Sequence, residues 1–264
     1  MHHEASARQW RVSSTRGTIV LVHGGGEHSG RYEETAKRLN REGFSVVAPD
    51  LRGHGRSGGQ RGHILRFEEY LEDVAGCLQT HVPTDQRPPI LLGHSLGGLV
   101  CTYYAIASPA TIRCLVLSSP LWGLNVPVPS WKHAVARSLS AVRPSFAMTR
   151  PTSAGEVLSH DPQVGTRYLN DPLVHFKVSC RFYTEMRRHL EQLPRVLPQL
   201  TVPVLVLQAG DDRIASADAT RQLFPLVGSA KKRLIVYEGF YHEILNEVDR
   251  ERVIQDLVSW LRSQ

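Results

Sequence analysis

The segment Leu91-Leu92-Gly93-His94-Ser95-Leu96-Gly97-Gly98 carries the most chemical information in the chain. An apolar run ends there, a helical pattern begins, and Gly-x-Ser-x-Gly lies at the junction. A serine on such a turn is held in strained geometry with its hydroxyl presented, and small neighbours at Gly93 and Gly97 permit the close approach this needs. The helix that follows aims its N-terminal partial positive charge at a developing oxyanion. The implied chemistry is attack by Ser95 on a carbonyl carbon. A hydroxyl is a weak nucleophile until a base takes its proton, so a histidine and an orienting carboxylate must come from elsewhere, in the chain order Ser, acid, His. The run 203–209 ends in Gly210-Asp211-Asp212-Arg213, where either aspartate sits at a strand's C-terminal edge, with N-capping of the next helix as the alternative use. The run 233–238 leads into Gly239-Phe240-Tyr241-His242-Glu243, and of the 13 histidines His242 alone follows the last predicted strand.

An oxyanion needs two fixed N–H donors aimed at one point. Leu96, directly after the serine, supplies one. His23-Gly24-Gly25-Gly26, after the early strand, lets backbone approach substrate and offers Gly25 as the second. Two other matches serve as controls. Gly55-Arg56-Ser57-Gly58-Gly59 follows a charged loop instead of a strand, and no apolar helix begins after it. Gly53-x-Gly55-x-x-Gly58, with Asp73 twenty residues on, fits a dinucleotide-binding expression, but the next helical pattern starts only near Phe67. A loop rich in turns accounts for both. His242-Glu243-x-x-Asn246 lacks the second histidine of a zinc hydrolase, and Cys77, Cys101, Cys114 and Cys180 are too far apart for a Cys-x-x-Cys site. No metal and no cofactor is expected.

These residues must be positioned by a scaffold. Short Val/Ile/Leu-rich runs at 18–23, 44–49, 89–93, 113–118, 203–209 and 233–238 read as buried strands. Helical patterns at 32–41, 67–81, 96–107, 217–226 and 249–261 separate them, and 10–13 offers one further strand. The alternation predicts an α/β fold, a mostly parallel sheet flanked by helices. It breaks once. After Ser119 come Pro120, Pro127, Pro129 and Pro144, and no strand is expected before Pro203; the segment reads as a helical insertion over the sheet with a return helix at 176–193. Within it Trp131, Val135, Leu139 and Val142 form an apolar stripe beside Lys132, Arg137 and Arg143.

At 264 residues, 41% hydrophobic and 21% charged, the chain has the composition of a globular protein large enough to bury a core without staples. No apolar run reaches the ~18 residues of a membrane span. The N-terminus lacks a signal-peptide pattern and the cysteines read as thiols, so the expected compartment is the cytoplasm. The 31 Lys and Arg exceed the 25 Asp and Glu by six, but they are scattered and accompany no nucleic-acid-binding motif. Nucleic acid is therefore not an expected partner; weak peripheral contact with an anionic lipid surface is the use the charge leaves open.

His23-Gly24-Gly25-Gly26-Glu27-His28-Ser29-Gly30-Arg31-Tyr32, Asp50-Leu51-Arg52-Gly53-His54-Gly55-Arg56-Ser57 and Gly93-His94-Ser95-Leu96-Gly97-Gly98 resemble the monoacylglycerol lipase and lysophospholipase family of α/β-hydrolases. So do Asn170-Asp171-Pro172-Leu173-Val174 and Tyr237-Glu238-Gly239-Phe240-Tyr241-His242-Glu243. The resemblance runs from about Gly17 to Leu261. It implies an α/β-hydrolase core at 1–119 and 176–264 with a helical cap at 120–175. It also selects Asp212, since Gln208, Asp212 and Arg213 fit the family's Gln-Gly-x-x-Asp-Arg frame, with Ala209 standing where glycine is usual. The implied activity is hydrolysis of a single-acyl lipid ester, most simply a monoacylglycerol, through an acyl-enzyme on Ser95. Trp122, Trp131, Val135 and Leu139 are then candidates for the acyl site, and Glu27 and Arg31 either contact the glycerol end or brace their loop. Lysophospholipase, short-chain esterase or thioesterase activity on the same scaffold is the alternative, because a fold does not fix a substrate. A catalytically silent binding protein is the alternative outside enzymes.

Overall fold

The computed structural model describes residues 6–83, 87–125, 128–149 and 156–264. The chain opens with β1 (Ala7–Trp10) and β2 (Gly17–Val22), then α1 (Glu33–Arg41), β3 (Phe44–Pro49) and α2 (Glu68–His81). It continues through β4 (Ile90–His94), α3 (Leu96–Ala107) and β5 (Cys114–Ser118). Next come α4 (Ser130–Val142), β6 (Ala147–Thr149), α5 (Pro162–Asn170), β7 (Lys177–Ser179) and α6 (Cys180–Val196). The chain closes with β8 (Val204–Ala209), α7 (Ala217–Leu223), β9 (Lys232–Tyr237) and α8 (Arg250–Arg262). Seven strands form one sheet in the order β1-β3-β2-β4-β5-β8-β9, parallel throughout except for β1 on β3.

The continuous apolar runs follow from burial of the sheet on both faces. Ile19 and Leu21 of β2 pack with α1 and α8, while Val20 and Val22 point the other way, into a cluster shared with α2, α3 and α6. This period of two places an apolar side chain on each face at every step. The edge strand β9 is less buried, as Lys232 and Arg233 in it require.

Three differences from the sequence expectation have local causes. The first strand lies at Ala7–Trp10 and not at 10–13, because its ladder with β3 ends at the Trp10–Val46 pair. Beyond it the Ser45 and Thr15 hydroxyls accept backbone N–H groups in place of a partner strand. The expected strandless stretch before Pro203 contains β6 and β7, which pair antiparallel in register Met148–Val178. Strands of three residues are too short for a period-two pattern to register. Finally, α6 begins at Cys180, where Ser179 caps it by accepting the Phe182 N–H at 3.1 Å.

Described residues of the segment between β5 and β8, among them Trp131, Leu139, Phe182 and Met186, share a cavity with Gly24, Ser95 and His242, which follow the C-terminal ends of β2, β4 and β9. α4 packs on α6 through its two buried residues, Ala136 and Ser140. Tyr183 to His133 at 2.6 Å and Ser140 to Thr184 at 3.0 Å join the pair. Among the described residues no helix is long and apolar enough to cross a membrane. The four cysteines are buried free thiols.

Candidate active site

Ser95 joins β4 to α3 with φ 52° and ψ −118°, a region that a residue with a Cβ enters only under constraint. The constraints are visible. Its N–H donates to Ser118 O at 3.1 Å, and its carbonyl accepts from Leu121 N at 2.9 Å. A Cβ on Gly97 would stand 2.3 Å from Val22 O, and one on Gly93 would stand 2.4 Å from Gly97 O, so both glycines are required by contact. The turn expected at 93–97 is there, with the serine at the wall of a cavity of about 820 Å³.

His242 lies on the loop after β9 and meets Asp212, on the loop after β8, through Nδ1 to Oδ2 at 2.7 Å. Burial disfavours the charged imidazolium, but the Asp212 carboxylate and its hydrogen bond outweigh this and raise the His242 pKa. Burial likewise opposes the Asp212 charge, and His242 with the Ile214 and Ala215 N–H groups more than offsets it, so its pKa is lowered. Gln208 orders this corner: its amide donates toward Asp212 Oδ2 at 3.4 Å while its carbonyl oxygen accepts from Thr220 at 2.9 Å. Asp211 is exposed and Asp212 is buried, which separates the two candidates left open by position alone. His94, before the serine, has its ring 4.7 Å from that of His242. Burial and the neighbouring His242 push its pKa down to about 4, so it stays neutral.

Gly25 and Leu96 come together, a Cβ on Gly25 falling 3.5 Å from Leu96 Cδ2, and both line the cavity beside Ser95. The glycine loop is pinned from behind. The His23 ring spans Gly24 O and Leu51 N, and Glu27 accepts the Gly24 N–H at 2.6 Å. His28 and Asp171, 2.9 Å apart, and His175 N to Gly26 O at 2.8 Å tie the loop to the chain after α5. The Asn170–Val174 motif is thus an anchor between insertion and loop. The turn-rich reading of 50–58 fits as well: Asp50 accepts from Ser29 N and Arg56 N at 2.8 Å, and Gly53 N donates to Gly58 O.

The remaining candidates divide. Trp131, Val135 and Leu139 of α4 line the cavity, with Phe182 and Met186 of α6 and Ile214 opposite. Trp122 does not. Its indole is 2% exposed in the core and donates to Thr102 at 3.1 Å, since the turn after β5 directs it down between α3 and the sheet. Glu27 reaches the cavity wall, but Arg31 is held behind it, between Glu27 and Glu243. Glu243 is not among the site residues the sequence suggests; its signals there are adjacency to His242 and its place at the end of the family string 237–243. Asn125, whose amide donates to Asp212 O at 2.7 Å, gave none. Among the described residues no group of three His, Cys, Asp or Glu is placed to hold a metal ion.

Residues 13–249 match the family described as serine aminopeptidase, S33. The chain is 36% identical over 252 residues to the monoacylglycerol lipase of Mycolicibacterium smegmatis, covering 94% of this chain and 89% of that one. It is 34% identical over 250 residues to phospholipase YtpA of Bacillus subtilis, with 93% and 95% covered. The crystal structure of Paleococcus ferrophilus monoacylglycerol lipase superposes with a TM-score of 0.89 at 33% identity, covering 98% of this chain and 99% of that one. With its parallel sheet and its serine at the strand–helix turn, the chain belongs to this serine hydrolase family, in the monoacylglycerol lipase and lysophospholipase group of the α/β-hydrolases.

Proposed function

We propose that this chain hydrolyses monoacylglycerols to fatty acid and glycerol through an acyl-enzyme on Ser95. The observation that carries the reading is the buried Asp212–His242 pair, whose imidazole lines the same largely apolar cavity as Ser95. His242 Nε2 takes the Ser95 proton as Oγ attacks the ester carbonyl, and Asp212 keeps the proton on Nδ1 and stabilises the imidazolium. The Gly25 and Leu96 N–H groups hold the oxyanion. His242 then protonates the leaving glycerol oxygen and activates the water that releases the acid. No cofactor takes part.

Cavity size and lining support a long acyl chain: about 820 Å³ lies within the ~300–1,000 Å³ of sites for ligands of that size. Glu27 and Glu243, which line the cavity with Ser95, both bind Arg31 and so are not free to take a substrate ammonium. In this reading residues 1–119 and 176–264 are the hydrolase core and 120–175 the cap over it. Buried thiols suit the cytoplasm, and exposed Trp131 and Val142 beside Lys132 and Arg143 suit weak contact with an anionic lipid surface.

The test is a fluorophosphonate probe combined with a substrate series. Labelling at Ser95, and turnover of long-chain monoacylglycerol above p-nitrophenyl acetate and above the matching lysophospholipid, is the expected result. Turnover confined to acetate would replace lipase by short-chain esterase, and preference for the phospholipid would replace the glycerol headgroup.

A further inference from the structure

Arg31 is buried where no ordinary surface arginine would be, with 9% of its side chain exposed between two carboxylates that are each 5% exposed. Its Nη1 donates to Glu27 Oε2 at 2.6 Å and to Glu243 Oε1 at 2.6 Å, and its Nη2 donates to Glu243 Oε2 at 2.8 Å. The two carboxylates belong to different parts of the site. Glu27 Oε1 accepts the Gly24 N–H and the Tyr32 hydroxyl, each at 2.6 Å, and so fixes the peptide just before Gly25. Glu243 directly follows His242 and is steadied by Asn246 at 2.8 Å. The Tyr168 ring of α5 covers the guanidinium at 4.7 Å. Breaking a buried charge cluster of this kind is costly, because the remaining charges have little water to turn to.

We infer that Glu27, Arg31 and Glu243 form a clasp, with Arg31 as a positioning residue that holds the oxyanion loop and the His242 loop in one fixed geometry. Its members serve the chemistry through Gly25 and His242 instead of by gripping the glycerol. Both oxygens of each carboxylate are already engaged within the protein. The clasp also carries one net negative charge, two carboxylates against one guanidinium. His242 faces Asp212 on its own pair, Glu243 and Glu27 across the clasp, and the neutral His94 ring. The surplus charge favours the imidazolium that forms when Ser95 loses its proton. Geometry and charge can therefore be separated by substitution.

The inference rests on the Ser95–His242–Asp212 reading above. The experiment compares wild type, Arg31→Lys and Glu243→Gln on a soluble p-nitrophenyl ester from about pH 5 to 9, with fluorophosphonate labelling and melting curves alongside. Arg31→Lys keeps the charge and loses the fork, so kcat should fall about 10- to 100-fold with KM little changed and the acid limb of kcat/KM unmoved. Glu243→Gln removes the surplus charge; kcat should fall similarly, and the limb should move to lower pH as His242 loses support for its proton. The clasp is overturned if both variants keep wild-type kcat, if the loss is in KM alone, or if the Glu243→Gln limb stays put while activity merely follows melting temperature. A wild type that neither labels nor turns over any ester would instead overturn the serine-esterase reading and the clasp with it.

Discussion

Below the cavity, Asp212 and His242 show 0% and 4% of their side chains to solvent and are joined by a 2.7 Å hydrogen bond. Above it, α4 buries only Ala136 and Ser140 and leaves Trp131 and Val142 64% and 80% exposed. The lower wall is fixed by polar groups whose partners are all internal: Ser95 by its backbone, Asp212 by two N–H groups, the glycine loop by His23 and Glu27. The upper wall is held by a few side-chain bonds between α4 and α6, and exposes Trp131, Val135 and Val142 among Lys132 and Arg137. Chemistry demands reacting atoms held within fractions of an ångström, whereas recognition of a methylene chain demands only apolar area. In the proposed reading the two walls differ as those demands differ.

Substitutions should therefore separate sharply by wall. Ser95→Ala should reduce kcat by about 10⁶ and abolish fluorophosphonate labelling, while leaving the binding of a fluorescent acyl analogue intact. A Ser95→Ala enzyme that still turns over ester would move the nucleophile elsewhere. Asp212→Asn should cost about 10⁴ in kcat, because the imidazole loses its required tautomer, whereas exposed Asp211→Asn should stay within about twofold. The same variant sharpens the pH profile. The proposed mechanism requires neutral His242, whose pKa is raised, so the wild-type acid limb should lie above the ~6.5 of a free imidazole. In Asp212→Asn that limb should move down. On the upper wall, Leu139→Trp should lower kcat/KM for a long-chain ester about 10- to 100-fold while sparing p-nitrophenyl acetate, since it only fills the space for distal methylenes. Equal losses on both esters would erase the distinction between the walls.

The lower wall is also the part that could be read from residues alone. Gly93, Ser95 and Gly97 must be those residues because backbone packs against backbone there, and such a demand leaves a fixed local string. Asp212 and His242 follow from the order of strands, since each stands just past a strand end. The choice against Asp211 came from the family's frame and became physical only with burial and the His242 contact. Trp122 shows the limit: an aromatic in a proline-rich turn faces core or cavity according to a backbone direction that composition does not encode. Strands β6 and β7 were hidden by shortness, and Glu243 by distance, because its partner Arg31 lies 212 positions away. Local patterns announce themselves; pairings across the fold do not.

The backbone at Ser95 has one further consequence, for thermal behaviour. A φ of 52° with ψ of −118° is open to glycine and costs other residues about 1–3 kcal/mol, so the folded state carries Ser95, the proposed nucleophile, as a stored penalty. Alanine keeps the offending Cβ and glycine discards it. Two equally dead proteins should then differ in stability, Ser95→Gly melting above Ser95→Ala despite the greater freedom of glycine in the unfolded chain. In the proposed mechanism, activity is maintained at Ser95 against a standing thermodynamic pull toward an inert glycine.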